Sequence, residues 1–308
     1  MRILITGSRG FVGKHLLQQF IKDDVELLTP GRSELDIQDR RAVSEYMTVH
    51  RPDHVIHLAA QSNVGLSWQQ PIETAATNIL GTLNLYEAFA VQHTDGKFLY
   101  VGSSDAYGRA ARQNKPLTED MLCDPQNPYA TSKWAAERIL LQLARRDKSK
   151  VICTRSFNQY GPGQNRGFVV SDFASQLAAI KLRYAEPVVK VGNLSASREF
   201  IYVDDVARIY RQMIIGDIKP GVYNVCTGRT IKIEDILDKL IKLTGMYVEV
   251  QKDPSRYRPI DIPAIQGNSE RIKQISQMKG IDIAAGLKKT YEYWLERCRI
   301  EHEGSNRS

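Results

Sequence analysis

The sequence predicts an α/β fold: a doubly wound parallel sheet followed by a smaller α/β region. Three observations carry this expectation. Short apolar runs with the look of buried strands alternate with amphipathic stretches over the first half of the chain, as parallel strands and their crossover helices do. The first run, Ile3-Leu4-Ile5-Thr6, leads straight into Gly7-Ser8-Arg9-Gly10-Phe11-Val12-Gly13, and Lys14 opens an amphipathic segment. The apolar content, 42% of 308 residues, supports a sizeable core.

Taken in order, the opening strand, glycine-rich turn and helix form a pyrophosphate cradle of the Rossmann type. One glycine makes the turn, one admits the phosphates and one lets helix and strand pack closely. The spacing is Gly-x-x-Gly-x-x-Gly. Val25 to Thr29 reads as the second strand, whose end selects the cofactor. An acid there binds the ribose 2′-hydroxyl, and an arginine accommodates a 2′-phosphate. Here Pro30-Gly31-Arg32-Ser33 follows, with no acid at the tip and Arg32 close by. That favours NADP(H) with NAD(H) possible, although a solvated loop arginine reads the same way.

Further strands are expected at Val55 to Ala59, Lys97 to Val101 and Val151 to Arg155, with helices at Thr74 to Phe89 and Ala130 to Arg145. Ser103 falls just past a strand end, where such sheets place their sites. Tyr129 and Lys133, four apart, share one helix face. An ammonium beside a phenol stabilises its phenolate, so the tyrosine can trade a proton with a carbonyl or alcohol oxygen. After Phe157 the pattern changes to short strands, helices and loops. The cofactor-binding domain is therefore set at residues 1–160, with a return to the sheet near 198–210. Residues 161–300 are mostly a substrate-binding domain, and the polar residues 301–308 are expected to be a disordered tail.

A net charge of +7 is moderate, and the basic residues are dispersed. No basic block with interleaved aromatics points to nucleic acid, and attraction of an anionic cofactor and substrate accounts for the charge equally well. No apolar run approaches the ~20 residues of a membrane span. The first strand starts at once, which leaves no room for a signal peptide; a cytoplasmic location is expected. Cys123, Cys153, Cys226 and Cys298 are scattered, so free thiols are expected and no metal site is.

Together these segments resemble the extended short-chain dehydrogenases/reductases that act on nucleotide sugars. The resemblance rests on Gly7-x-x-Gly10-x-x-Gly13, His57-Leu58-Ala59-Ala60-Gln61, Asn78-Ile79-Leu80-Gly81-Thr82, Ser103 to Gly108, Tyr129-x-x-x-Lys133 and Arg198 to Val206. Within that family the chain is most similar to the GDP-6-deoxy-D-mannose reductases. Gln61 to Trp68, Phe157-Asn158-x-x-Gly161 to Gln164, Val191 to Leu194 and Asp253-Pro254-x-Arg256-x-Arg258-Pro259 carry that likeness. Gln159, Glu199, Tyr202 and the segment around Gln277 to Gly280 depart from it.

The resemblance implies that Ser103, Tyr129 and Lys133 are catalytic and that Asp105 stands where dehydratases carry a proton-abstracting glutamate. Asp105 is one methylene shorter; a loop-capping role is equally open to it. Cofactor contacts are implied for Gly7, Arg9, Gly10, Phe11, Val12, Gly13, Arg32, Asp36, Ile37, Leu58, Ala59 and Ala60, besides Tyr129 and Lys133. Substrate contacts are implied for Val64, Ser104, Asn158, Phe168, Val191, Asn193, Arg198, Arg258 and Asp261. Arginine suits diphosphate because its planar fork grips two oxygens. Phe168 and Val191 would flank the base, although Phe168 reads equally well as core. His57 reads as a satisfied core histidine, Trp68 as packing near the sugar loop and Trp134 as packing on the catalytic helix. The implied activity is NAD(P)H-dependent reduction of the C4 ketone of a GDP-4-keto-6-deoxy sugar by a homodimer. A 4,6-dehydratase or epimerase on the same scaffold is the alternative.

Overall fold

The computed structural model describes residues 1–92, 95–113, 115–256, 263–275 and 280–305. Its first half runs β1 (Arg2–Thr6), α1 (Phe11–Gln19), β2 (Glu26–Leu28), α2 (Arg40–His50), β3 (His54–His57), α3 (Val64–Gln69), α4 (Pro71–Ala75), α5 (Gly81–Ala90), β4 (Lys97–Ser103), α6 (Pro128–Asp147) and β5 (Lys150–Ser156). The second half runs β6 (Asn158–Tyr160), α7 (Val169–Lys181), β7 (Val188–Val191), β8 (Ser197–Arg198), β9 (Phe200–Tyr202), α8 (Val203–Ile215), β10 (Gly221–Val225), β11 (Ile231–Lys232), α9 (Ile233–Thr244), β12 (Glu249–Lys252), β13 (Ala264–Ile265), α10 (Glu270–Ile275) and α11 (Ile283–Ser305).

Six parallel strands form the central sheet in the order β10-β5-β4-β3-β1-β2. Successive side chains leave a strand on opposite faces, and the apolar residues divide accordingly. Ile3, Ile5, Ile56, Leu99 and Ile152 pack on one face with Leu16 of α1 and Val206, Tyr210 and Met213 of α8. Leu4, Val55, Phe98, Tyr100 and Val151 pack on the other with Val43, Leu85 and Leu140 of α2, α5 and α6. Both faces are covered, as a doubly wound sheet requires.

The return to the sheet differs from expectation. Phe200–Tyr202 pairs with Asn158–Tyr160 in a separate two-stranded ladder. The strand that joins the sheet is β10, beside β5. What comes back near residue 203 is a helix, α8, whose apolar stripe covers the sheet. A second core gathers Phe173, Leu177, Val189, Val191, Leu237, Leu240, Leu287 and Trp294 from α7, β7, α9 and α11. The polar end of the chain is also corrected: residues 301–305 continue α11, while 306–308 lie outside the described residues. Ala76–Leu80, between α4 and α5, is a π-helical stretch, a feature that concentrates at functional sites. No described helix is long and apolar enough to cross a membrane.

Candidate active site

The turn between β1 and α1 is built for close approach. Gly7 has φ +71°, and a methyl group there would stand 2.7 Å from the Ala59 nitrogen. A methyl on Gly13 would stand 2.5 Å from the carbonyl oxygens of Gly7 and Ser8. Helix α1 has neither a side-chain cap nor an acid in its first turn, so its leading N–H groups remain open to an anion. Ser8 is 1% exposed, and its Oγ lacks a hydrogen-bond partner. An uncapped N-terminus, an orphaned hydroxyl and a floor that excludes side chains fit a dinucleotide diphosphate. Phe11 packs edge-on against His15, and Ile37 lies against Gly81.

His57 is fully buried between Thr6 Oγ1 (2.7 Å from Nδ1) and Thr82 Oγ1 (2.9 Å from Nε2). Thr82 donates its own proton to the Asn78 carbonyl at 2.8 Å. Nε2 must therefore donate and Nδ1 accept, which fixes the neutral tautomer. Burial first, then the Lys133 ammonium, drive its pKa down to about 3. The core-histidine reading holds.

At the ends of β4 and α6 the catalytic candidates meet. Ser103 Oγ accepts from the Asp105 N–H at 3.2 Å and hydrogen-bonds the Tyr129 phenol. Ser103 therefore caps the turn that follows β4, and the Asp105 charge lies near the Tyr129 phenol. Burial, then the Asp105 charge, raise the Tyr129 pKa against the opposing Ser103 hydrogen bond. Burial lowers the Lys133 ammonium to about 7; its Nζ lies 4.6 Å from the centre of the Tyr100 ring. Asn127 caps α6 by accepting the Ala130 N–H at 2.8 Å, with Pro128 in the first turn. One turn beyond Lys133, Glu137 accepts from Nη2 and Nε of Arg155 in β5 at 2.6 and 3.1 Å, nearly excluded from solvent. This pair pins α6 to the sheet.

Two further residues position the same helix and carried no role in the sequence reading. Asn78, inside the π stretch, exchanges hydrogen bonds with the Gln61 backbone at 2.8 and 3.0 Å and donates to Ser132 Oγ at 2.9 Å. Ser67 Oγ accepts the Tyr129 N–H at 3.2 Å and donates to the Val64 carbonyl at 2.7 Å. Both lay within quoted motifs, but only the fold reveals their partners.

Asn158, Phe168, Asn193 and Arg198 line one cavity of about 340 Å³. Phe168 is 45% exposed and precedes α7, so it belongs to the cavity and not to the core. Val191 is corrected: it is 1% exposed inside the second core, and its neighbours Gly192 and Asn193 face the cavity. Asp172 and Arg256, joined at 3.2 Å, also line it; nothing in their spacing announced that. Asn158 donates to the Glu199 carbonyl at 3.1 Å. The Glu199 side chain accepts from Thr227 N and Oγ1, Gly228 N and Gly267 N at 2.5–3.0 Å. Arg258 and Asp261 lie outside the described residues. Trp68 is 64% exposed, which leaves it without the packing role expected of it.

The parallel sheet, the diphosphate cradle and the serine, tyrosine and lysine together define an NAD(P)-dependent oxidoreductase of the extended short-chain dehydrogenase/reductase type. The chain belongs to the NAD dependent epimerase/dehydratase family, whose model matches residues 3–226. It is 34% identical to the GDP-6-deoxy-D-mannose reductase of Pseudomonas aeruginosa, over 97% of this chain and 99% of that one. The structure of RMD from Pseudomonas aeruginosa complexed with NADPH superposes with a TM-score of 0.88 at 32% identity, covering 96% of this chain and 99% of that one. A UDP-glucose 4-epimerase from Thermus thermophilus in complex with NAD follows at 0.84 and 26%, covering 96% and 99%.

Proposed function

We propose that this enzyme reduces the C4 ketone of a GDP-4-keto-6-deoxy sugar, preferring NADPH and accepting NADH. The carrying observation is the pairing of Ser103 and Tyr129 beside Asp105, a carboxylate one methylene shorter than a dehydratase's glutamate. A phenol held against a serine hydroxyl suits proton delivery to a ketone oxygen, whereas water elimination needs a base placed to within about 1 Å. The 34% identity over nearly the full chain supports the same choice.

When bound, the nicotinamide cofactor supplies the hydride. Tyr129 gives its phenolic proton to the C4 oxygen, and Ser103 steadies that oxygen with a hydrogen bond. Lys133, when protonated, stabilises the phenolate left behind. Asn158 and Arg198 take the sugar nucleotide's diphosphate, and Phe168 takes its base. Gly7 to Gly13 hold the cofactor diphosphate, with Arg9 and Arg32 beside the adenosine ribose. Exposed Trp68, Ile72 and Leu80, on or beside the helices that precede α6, supply an apolar face for a homodimer. Light scattering at micromolar concentration tests that state.

A 4,6-dehydratase is the second reading, favoured by the Asp105 carboxylate beside Tyr129. One experiment separates the two. Incubation with GDP-4-keto-6-deoxymannose should consume NADPH stoichiometrically, and incubation with GDP-mannose and NADP⁺ should yield no 4-keto product. Steady 4-keto formation, abolished in Asp105→Asn, would establish the dehydratase.

A further inference from the structure

We propose that Glu34 is the residue that lets this site accept NADH, by returning a carboxylate to the tip of β2 and restraining Arg9. The inference rests on the cofactor reading above and deepens it. In sequence the strand tip carries no acid. The backbone brings one back: Glu34 N and Leu35 N donate to the Gly31 carbonyl at 3.0 and 2.9 Å, closing a turn. Within that turn Glu34 Oε2 accepts the Gly31 N–H at 2.5 Å. The same oxygen holds Arg9 Nη2 at 3.3 Å. Arg9 itself lies on Gly31, where a methyl group would stand 2.6 Å from Nη1. The glycine-rich turn and the β2 tip therefore meet at one arginine–glutamate contact, while Arg32 leans towards Asp36 at 3.5 Å.

The chemistry follows from charge. A carboxylate fixed at the strand tip accepts the hydroxyls of an unphosphorylated adenosine ribose. Towards a 2′-phosphate the same carboxylate is repulsive, and it also occupies the guanidinium best placed to bind that phosphate. A 2′-phosphate would compete with Glu34 for the Arg9 guanidinium. Glu34 therefore opposes NADPH and supports NADH, without touching the reacting atoms.

The test is equilibrium binding, read from nicotinamide fluorescence in the absence of sugar substrate. NADPH and NADH are titrated into the wild type, Glu34→Gln, Arg9→Ala and the double variant. Glu34→Gln should tighten NADPH and weaken NADH, moving the ratio of their dissociation constants about tenfold towards NADPH, the scale of one charged hydrogen bond. Arg9→Ala should move the ratio towards NADH. In the double variant the gain for NADPH should vanish, because the two residues act through one contact. A Glu34→Gln ratio within twofold of wild type, a shift towards NADH, or equal losses for both cofactors would each overturn the proposal. A wild type that binds neither cofactor would instead overturn the cofactor reading on which it rests.

Discussion

Strands β4 and β5 run side by side for seven consecutive residue pairs, Lys97↔Lys150 through Ser103↔Ser156. On the substrate side, β8, β11 and β13 meet two residues at a time. The first region is held by continuous backbone ladders and apolar faces. The second relies on single side chains to join its short strands, Glu199 foremost. The two halves should therefore fail differently: the sheet tolerates loss of one polar group, whereas the substrate side does not.

The largest expected effect lies on the sheet side and leaves structure untouched. Tyr129→Phe removes the proton donor and keeps the ring, so turnover should fall about 100-fold or more with binding retained. Steady-state rates beside cofactor titration check this; near-normal turnover would remove Tyr129 as the acid. Glu199→Ala sharpens the contrast. It leaves the half-buried N–H groups of Thr227 and Gly228 and the buried N–H of Gly267 without their carboxylate, while the Thr227 hydroxyl keeps the Arg229 carbonyl, and it should cost about 2–4 kcal/mol in thermal unfolding. GDP binding should weaken through Asn158, while NADPH binding persists. Equal loss of both would erase the distinction between the regions.

Lys133→Met should abolish turnover and yet stabilise the fold by about 1–3 kcal/mol, as replacing buried charge with a hydrophobe often does. The sign follows from its lowered pKa of about 7 against 10.5 for an ordinary lysine. Between those values the unfolded chain binds the extra proton, so wild-type stability rises with pH. That rise should be absent in the variant. Wild-type reduction should also decline as pH climbs past about 7 and Lys133 loses its charge.

The smallest effect concerns the contact of α1 with α8 and the loop at Pro162. His15 Nδ1 meets Asp204 at 2.5 Å, and Nε2 meets the Pro162 carbonyl at 2.8 Å. Burial pulls the His15 pKa down, but the Asp204 and Pro162 hydrogen bonds outweigh it and the net shift is upward. The His15 contribution is thus full below pH 6.5 and fades as pH rises through the folded value. Asp204 is shifted down by the same bond, so the clasp also weakens in acid. Asp204→Asn should cost about 1 kcal/mol or less after solvent screening and flatten this dependence in pH-dependent denaturation.

The sheet was legible because its strands are apolar runs and its turns carry glycine. The candidate serine, tyrosine and lysine were legible because two of them share a helix face. The substrate side was not: two-residue strands have no period to read, and the return expected near 198–210 is made by a helix, while β9 pairs with β6. Val191 looked like a base contact by position, but alternation along β7 turns it into the core. Glu34 escaped notice because its carboxylate reaches the β2 tip through a turn, not through sequence adjacency.

The Glu199 cluster also sets a timetable. Its carboxylate draws N–H groups from Thr227, Gly228 and Gly267, which lie 28, 29 and 68 residues downstream. On a ribosome adding ~5–20 residues per second, Gly267 follows Glu199 by on the order of 3–14 s. The parallel ladders of β1, β3, β4 and β5 have all been synthesised before Glu199 appears. The cofactor cradle can thus take shape on the nascent chain while this carboxylate still awaits its last partner. Premature release or truncation before Gly267 would leave a cofactor-binding half attached to an unfinished second region.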